Sequence, residues 1–394
     1  MSTLRVGIVG AGGIARNHHV PSYLRCEDVQ VVAACDISEA ALEQMREQHG
    51  VTRLYRDYEE MLARESLDLV SICTSNDSHH PAALAAMAAG LDVFCEKPLA
   101  LNLSQAVEMY EVARDRGVRT GVNFSHRRTP ASMLAREIIA SGALGPIHQV
   151  IAIYAAGATG YADRPGTWRN DRARAGYGGM GDMGSHILDM VNWWMDSEPV
   201  SLTAQTRTIV PERLDRDTQR PMRVTTEDQG QLLLAYANGA MGYLYGGYCF
   251  TGRGYDQRIE VYGSEGGLMY SQHHAYELEV YLPAEALRGY QVIRRGGTPD
   301  TPYTRILVPE RLQGQVPGHP GVRRTVLMDY VDAYRREGPF AFSPGFLEGV
   351  KVQEVLEACT LSESRRGWVD LPLLAPETRP ETPPVDLGIS PLPV

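Results

Sequence analysis

The chain has 394 residues, 43% of them hydrophobic and 22% charged, the balance of an ordinary globular protein with two or three domains' worth of length. Its 38 Lys and Arg against 48 Asp and Glu leave a formal net charge of −10, which argues against a nucleic-acid binder and against a polybasic membrane-surface protein. No run approaches the ~18 apolar residues of a membrane span, so the expectation is a cytoplasmic protein working on small molecules.

The first 125 residues alternate short apolar, β-branched runs with helical stretches. VGIVG at 6–10, VQVVAACD at 29–36, LDLVSICT at 67–74, LDVFCEK at 91–97 and VRTGVNF at 118–124 read as strands, with helices over 38–49 and 81–89 between them. Runs with little polar alternation are covered on both faces, so this part is predicted to be an α/β, doubly wound parallel sheet with ligand at the strands' carboxyl ends. Gly10-Ala11-Gly12-Gly13-Ile14-Ala15 fits G-x-G-x-x-[GA] directly after the first strand. Bare backbone and helix amides there suit a pyrophosphate. Asp36 closes the second strand, where a carboxylate accepts from ribose hydroxyls and repels a 2′-phosphate, which favours NAD over NADP. A tight structural turn is the bland alternative.

Lysine is scarce: Lys97 and Lys351 stand against 36 arginines. Lys97, in Glu96-Lys97-Pro98 at a strand end, would project toward the nicotinamide and could stabilise an alkoxide, unless it is a solvated loop residue. After Pro146 the texture changes. A strand-like IHQVIAIY leads into a Gly- and Arg-rich stretch over 156–178 with neither periodicity, then a helix over 183–195. Strands with turn signals follow, read as a mostly antiparallel open sheet, and helices return over 322–337 and 345–365. The boundaries expected are 1–125, 126–370 and a Pro-rich arm over 371–394, which holds seven of the chain's 24 prolines. Six scattered cysteines without a C-x-x-C pair read as reduced core residues.

Gly181-Asp182-Met183-Gly184-Ser185-His186 opens the 183–195 helix. Asp182 and His186 are four apart, hence expected on one face, with Asp182 orienting His186 as a general base. A capping Asp beside an exposed His is the alternative.

Taken together, GAGGIA, Thr74-Ser75-Asn76-x-x-His79, Glu96-Lys97-Pro98, Trp168-Arg169 and GDMGSHILD resemble the glucose-fructose oxidoreductase and inositol dehydrogenase family over about residues 4–370. The resemblance implies a Rossmann domain, a C-terminal α/β domain whose open sheet joins subunits into a homodimer or homotetramer, and a bound nicotinamide dinucleotide. It also implies Lys97, Asp182 and His186 as the catalytic trio. By the same resemblance Gly10, Gly12, Gly13, Ile14, Asp36, Thr74, Asn76, His79, Glu96, Lys97 and Asn123 would face the cofactor. Lys97, Arg127, Tyr154, Tyr161, Trp168, Arg169, Asp182 and His186 would face the substrate. Two departures stand out: Ser75 where the family often has Pro, and Tyr177 interrupting the glycines before Asp182, where it is expected to reshape the pocket.

The implied activity is NAD(P)-dependent interconversion of a secondary alcohol and a ketone on a sugar, cyclitol or related polyol. Two alternatives share the scaffold: a dinucleotide-binding regulator without turnover, and NAD-assisted elimination or hydrolysis with no net NADH. A metal enzyme is disfavoured. The pairs His18-His19, His79-His80 and His273-His274 have neither H-E-x-x-H nor zinc-finger spacing.

Overall fold

The computed structural model describes residues 3–157, 163–298, 302–316, 319–335 and 342–374. Every apolar run of the first part forms a strand, and a sixth, too short to register by periodicity, joins them. β1 (Leu4–Val9), β2 (Val29–Cys35), β3 (Arg53–Tyr55), β4 (Leu69–Ile72), β5 (Asp92–Cys95) and β6 (Thr120–Val122) run parallel in the order β3-β2-β1-β4-β5-β6. All four residues of β4 are buried, as a strand covered on both faces requires. The order reverses between β1 and β4, the switch point at which such sheets bind ligands. Ser38 caps helix Glu39–His49 through its hydroxyl, and Asn102 caps Leu103–Arg116, which ends on Gly117 at φ 65°.

The second sheet is larger. β7 (Ile147–Ala155) is followed by β8 (Pro199–Arg207), the small pair β9 (Glu212–Leu214) and β10 (Pro221–Arg223), then β11 (Gln229–Tyr236), β12 (Met241–Gly247), β13 (Asp256–Gly263), β14 (Gly267–Ser271), β15 (Glu277–Tyr281), β16 (Val292–Arg294) and β17 (Thr304–Leu307). β18 (Gln315–Val316) pairs with β19 (His319–Arg323), and β20 (Val369–Asp370) is the last strand among the described residues. Ten of these form one sheet in the order β16-β17-β15-β14-β13-β7-β12-β11-β8-β20, antiparallel throughout except for the β7–β12 pair.

Alternating burial along β11 gives the sheet a covered face and an open one. Helices Pro130–Ala140, Ser185–Met195 and Phe346–Arg365 pack on the covered face, and Leu233 and Met241 stand on the open one. A single buried cluster runs from Ile72 and Val93 in the first sheet to Leu244 and Leu268 in the second, so the two layers share a core. One helix crosses the expected boundary. Val326–Tyr334 returns to the first sheet, where Tyr330 packs edge-on against Phe94 beside Gly121, so residues far downstream complete the cover of the parallel sheet. The proline-rich residues from 375 onward lie outside the described ones.

Candidate active site

The glycines after β1 divide into two kinds. Gly10 sits at φ 95°, and a Cβ there would lie 2.7 Å from the carbonyl carbon of Cys73, so it exists for backbone packing against the end of β4. Around Gly12 a Cβ would meet nothing within 4 Å, and at Gly13 only Asn17 Nδ2 at 3.8 Å. These two leave open backbone surface at the switch point, which fits a dinucleotide's phosphates. Asp36 Oδ2 accepts from Ala11 N at 2.7 Å and Oδ1 from Ser38 N at 2.8 Å. The carboxylate thus locks the loop to the end of β2 and keeps further lone pairs for ribose hydroxyls.

Beyond the loop a cavity of about 460 Å³ opens between the two sheets. Ile14, Thr74, Asn76, Glu96, Lys97 and Asn123 line it from the first sheet, and Tyr154, Trp168, Arg169, Asp182 and His186 from the second. Lys97 reaches across: its Nζ donates to Asp182 Oδ1 at 2.6 Å and to the Asp182 carbonyl at 3.0 Å. The Tyr248 hydroxyl donates to Oδ2 at 2.9 Å, and Arg169 Nε lies 3.7 Å from the same oxygen, its guanidinium stacked on Trp168. Burial opposes the Asp182 charge, yet Lys97, then Arg169 and Tyr248, hold its pKa well below the usual carboxylate range. An ammonium has three N–H donors, so Lys97 keeps one for a ligand oxygen.

Below this pair lies a second buried network. Glu96 Oε1 is 2.8 Å from His19 Nε2 and accepts from Asn123 Nδ2 at 2.7 Å, while His19 Nδ1 is 2.8 Å from Ser71 Oγ. Burial disfavours charge on both, but Cys73 and Glu96 beside the imidazole raise His19 to about 10, and His19 with Lys97 lowers Glu96 to about 2. The network fixes the residue preceding Lys97.

His186 is 6% exposed and packed rather than tethered. Its ring stacks on His126 with centroids 4.0 Å apart, Phe124 meets it edge-on, and its Nδ1 is buried without a hydrogen-bond partner. Burial first, then His126 and Lys97, push its pKa well down.

Several expectations need correction. Asp182 does not orient His186, because both its oxygens are engaged by Lys97 and Tyr248. The cause is local: residues Met180–Gly184 form a π-helical turn before the α-helix Ser185–Met195, so the four-residue spacing no longer implies an α-helical face. Arg127 is buried behind the cavity, bound through two nitrogens to Asp189 at 2.7 and 2.5 Å and to Ser343 Oγ at 2.9 Å. His79 is wholly buried, with ring nitrogens against the carbonyls of Pro98 at 3.0 Å and Thr74 at 3.3 Å; it holds the wall without lining it. Tyr177 turns away and donates to Glu357 Oε2 at 2.8 Å, and the Ser75 hydroxyl donates to Asp77 Oδ1 at 2.5 Å. Tyr161 lies outside the described residues.

Sequence reasoning missed His126, Tyr248 and Tyr255, and noticed His19 only as half of a histidine pair. For His126 the one available signal is its place just after β6, at a strand's carboxyl end.

Residues 4–124 match a family model described as "Oxidoreductase family, NAD-binding Rossmann fold", and residues 133–269 match the "GFO/IDH/MocA C-terminal domain". Levoglucosan dehydrogenase from Pseudarthrobacter phenanthrenivorans is 28% identical over 397 residues, covering 95% of this chain and all of that protein. Among solved structures, an oxidoreductase domain protein from Kribbella flavida superimposes with a TM-score of 0.81 at 27% identity, over 94% of this chain and 100% of that one. An inositol dehydrogenase homologue from Azotobacter vinelandii, complexed with NAD+, does so at 0.77 and 26%, over 94% of this chain and 98% of that one. With the glycine loop, the Lys97–Asp182 pair and both sheets accounted for, the chain belongs to the GFO/IDH/MocA family of NAD-binding oxidoreductases.

Proposed function

We propose that this enzyme oxidises a secondary hydroxyl of a sugar, cyclitol or related polyol with NAD, or reduces the corresponding ketone. The observation that carries the reading is the Lys97–Asp182 ion pair, held at 2.6 Å in a cavity that His186 also lines. A bound nicotinamide would accept the hydride from the carbinol carbon. Asp182 aims Lys97, whose remaining N–H donates to the substrate oxygen and stabilises negative charge as it forms. His186 Nε2, the ring nitrogen that is not buried, takes the hydroxyl proton, and in reduction returns it. Trp168 and the rings of Tyr154 and Tyr255 offer apolar faces to a sugar's C–H surface.

Residues 1–125 serve the cofactor and 126–370 the substrate, and the open face bearing Leu233 and Met241 serves as the contact between copies. The regulator reading leaves a half-buried lysine–aspartate pair in the cavity without a use.

The test is absorbance of reduced nicotinamide while the protein, with NAD and separately NADP, is offered anhydrosugars, monosaccharides, inositols and sugar acids. NADH from one group supports the reading; NAD binding without NADH from any of them overturns it. Lys97→Met should retain NAD affinity, measured by fluorescence titration, and lose about 10²–10⁴-fold in kcat. Unchanged turnover removes Lys97 from the chemistry.

A further inference from the structure

His126 and His186 stand side by side in the cavity, their planes 21° from parallel. They come from different elements, His126 from the 3-10 turn Ser125–Arg128 after β6 and His186 from helix Ser185–Met195. The chemistry above uses only His186.

What distinguishes His126 is its tether. Its Nδ1 lies 3.0 Å from Oε1 of Gln257, a fully buried residue of β13, and the Tyr270 hydroxyl donates to the same oxygen at 3.3 Å. In this orientation of the Gln257 amide, which leaves its Nε2 buried without a partner, Oε1 accepts from His126 Nδ1, so Nδ1 carries the proton and the ring's Nε2 keeps the lone pair. Nε2 stays accessible, and the ring lines the cavity. Burial, with Lys97 adding to it against the pull of Gln257, lowers the pKa to about 4, so the ring is neutral near pH 7. A stack alone would be served as well by phenylalanine. The tether additionally dictates an acceptor facing the ligand.

We propose that His126 is a specificity-determining residue whose Nε2 accepts a hydrogen bond from the hydroxyl next to the one being oxidised, so that the paired imidazoles together read a vicinal diol. Ring centroids 4.0 Å apart suit two acceptors serving oxygens on adjacent carbons. The inference rests on the dehydrogenase reading and narrows its substrate to polyols with a free hydroxyl beside the reacting carbon.

The experiment compares kcat/KM for NADH formation. Methyl β-glucopyranoside, levoglucosan and myo-inositol are the parent compounds, and each one oxidised is tested against its monodeoxy analogues. The analogue that gives no NADH marks the reacting carbon. Removing one neighbouring hydroxyl should lower kcat/KM about tenfold or more in the wild type, because an acceptor that the bound ligand encloses is left unpaired. In His126→Phe, which keeps an aromatic stack, that ratio should fall to about twofold or less. Gln257→Leu releases the tautomer from behind and should give an intermediate ratio, which keeps the test open if the first variant does not fold. Equal discrimination in wild type and variants, or none in the wild type, overturns the role of His126 while NADH formation still upholds the dehydrogenase. No NADH from any polyol overturns the dehydrogenase reading and this inference with it.

Discussion

At the scale of single residues, the cavity is a study in which charges are held and which are withheld. Asp182 and Glu96 are kept ionised by cations, whereas His186 is kept neutral first by burial and then by His126 and Lys97, beside which a further positive charge is disfavoured. A base must be unprotonated to accept the hydroxyl proton. Since the folded pKa of His186 lies below the ordinary value of about 6.5, the acidic limb of the oxidation rate should fall below that pH. A kcat/KM profile with its acidic limb near pH 7.5 that persists in His186→Ala would assign the limb elsewhere. The Glu96–His19 pair makes a stability prediction. Glu96, lowered to about 2, contributes above its unfolded pKa of about 4.3 and loses that contribution as pH falls through 2. His19, raised to about 10, contributes fully below about 6.5 and loses it as pH rises through 10. Both contributions are complete only between about 4.3 and 6.5. Glu96→Gln should therefore cost about 3–5 kcal/mol in urea unfolding at pH 6, since it leaves His19 buried without its counter-charge. The gap to wild type should narrow toward pH 10, and a gap independent of pH would show that packing, not charge, sets the cost.

At the scale of elements, the two glycines of the loop separate folding from binding. Gly10→Ala forces a Cβ against the Cys73 backbone from a φ of 95°, a strain of roughly 1–3 kcal/mol, and should lower the melting temperature. Gly12→Ala meets no protein atom within 4 Å, so it should melt with the wild type and bind NAD at least about tenfold more weakly. Equal NAD affinity in Gly12→Ala would remove the loop as a phosphate cradle. Much of this was legible in sequence, because strand runs, the glycine spacing and a lysine at a strand end are local signals. β3, with three residues and no apolar periodicity, was not. The partners of Asp182 were not either: the π turn at Met180–Gly184 breaks the α-helical spacing rule, and Tyr248 is 66 residues away on the chain after β12. His126 met His186 only through the packing of two layers, which no spacing encodes. Arg127 misled for a related reason. Sequence places it on the right turn, but only the fold reveals Asp189 buried beside it on the opposite side from the cavity.

For the whole molecule, the cavity belongs to neither sheet alone. Its first wall is the carboxyl edge of β4 and β5, its second the turn before Ser185–Met195, and they are stitched by Lys97 to Asp182 and by Asn76 Nδ2 to the Ala175 carbonyl at 2.8 Å. The glycine loop lies at the cavity's first-sheet end, with Ile14 on its lining. A dinucleotide held by Asp36 and the open backbone at Gly12 would therefore reach the cavity from the first-sheet side, where it would supply the hydride acceptor for a polyol. The polyol's site is then completed by the cofactor, and binding should be ordered, with NAD entering first. NAD at a hundredfold excess over its Kd should stabilise the protein by about 2.7 kcal/mol, read as a rise in melting temperature. A polyol that is oxidised should add its own shift in the presence of NADH and give almost none without a nucleotide. If the polyol alone shifts the melting temperature as much as it does beside NADH, the second wall binds substrate unaided, and Trp168, Arg169 and His186 form a complete site without the first sheet.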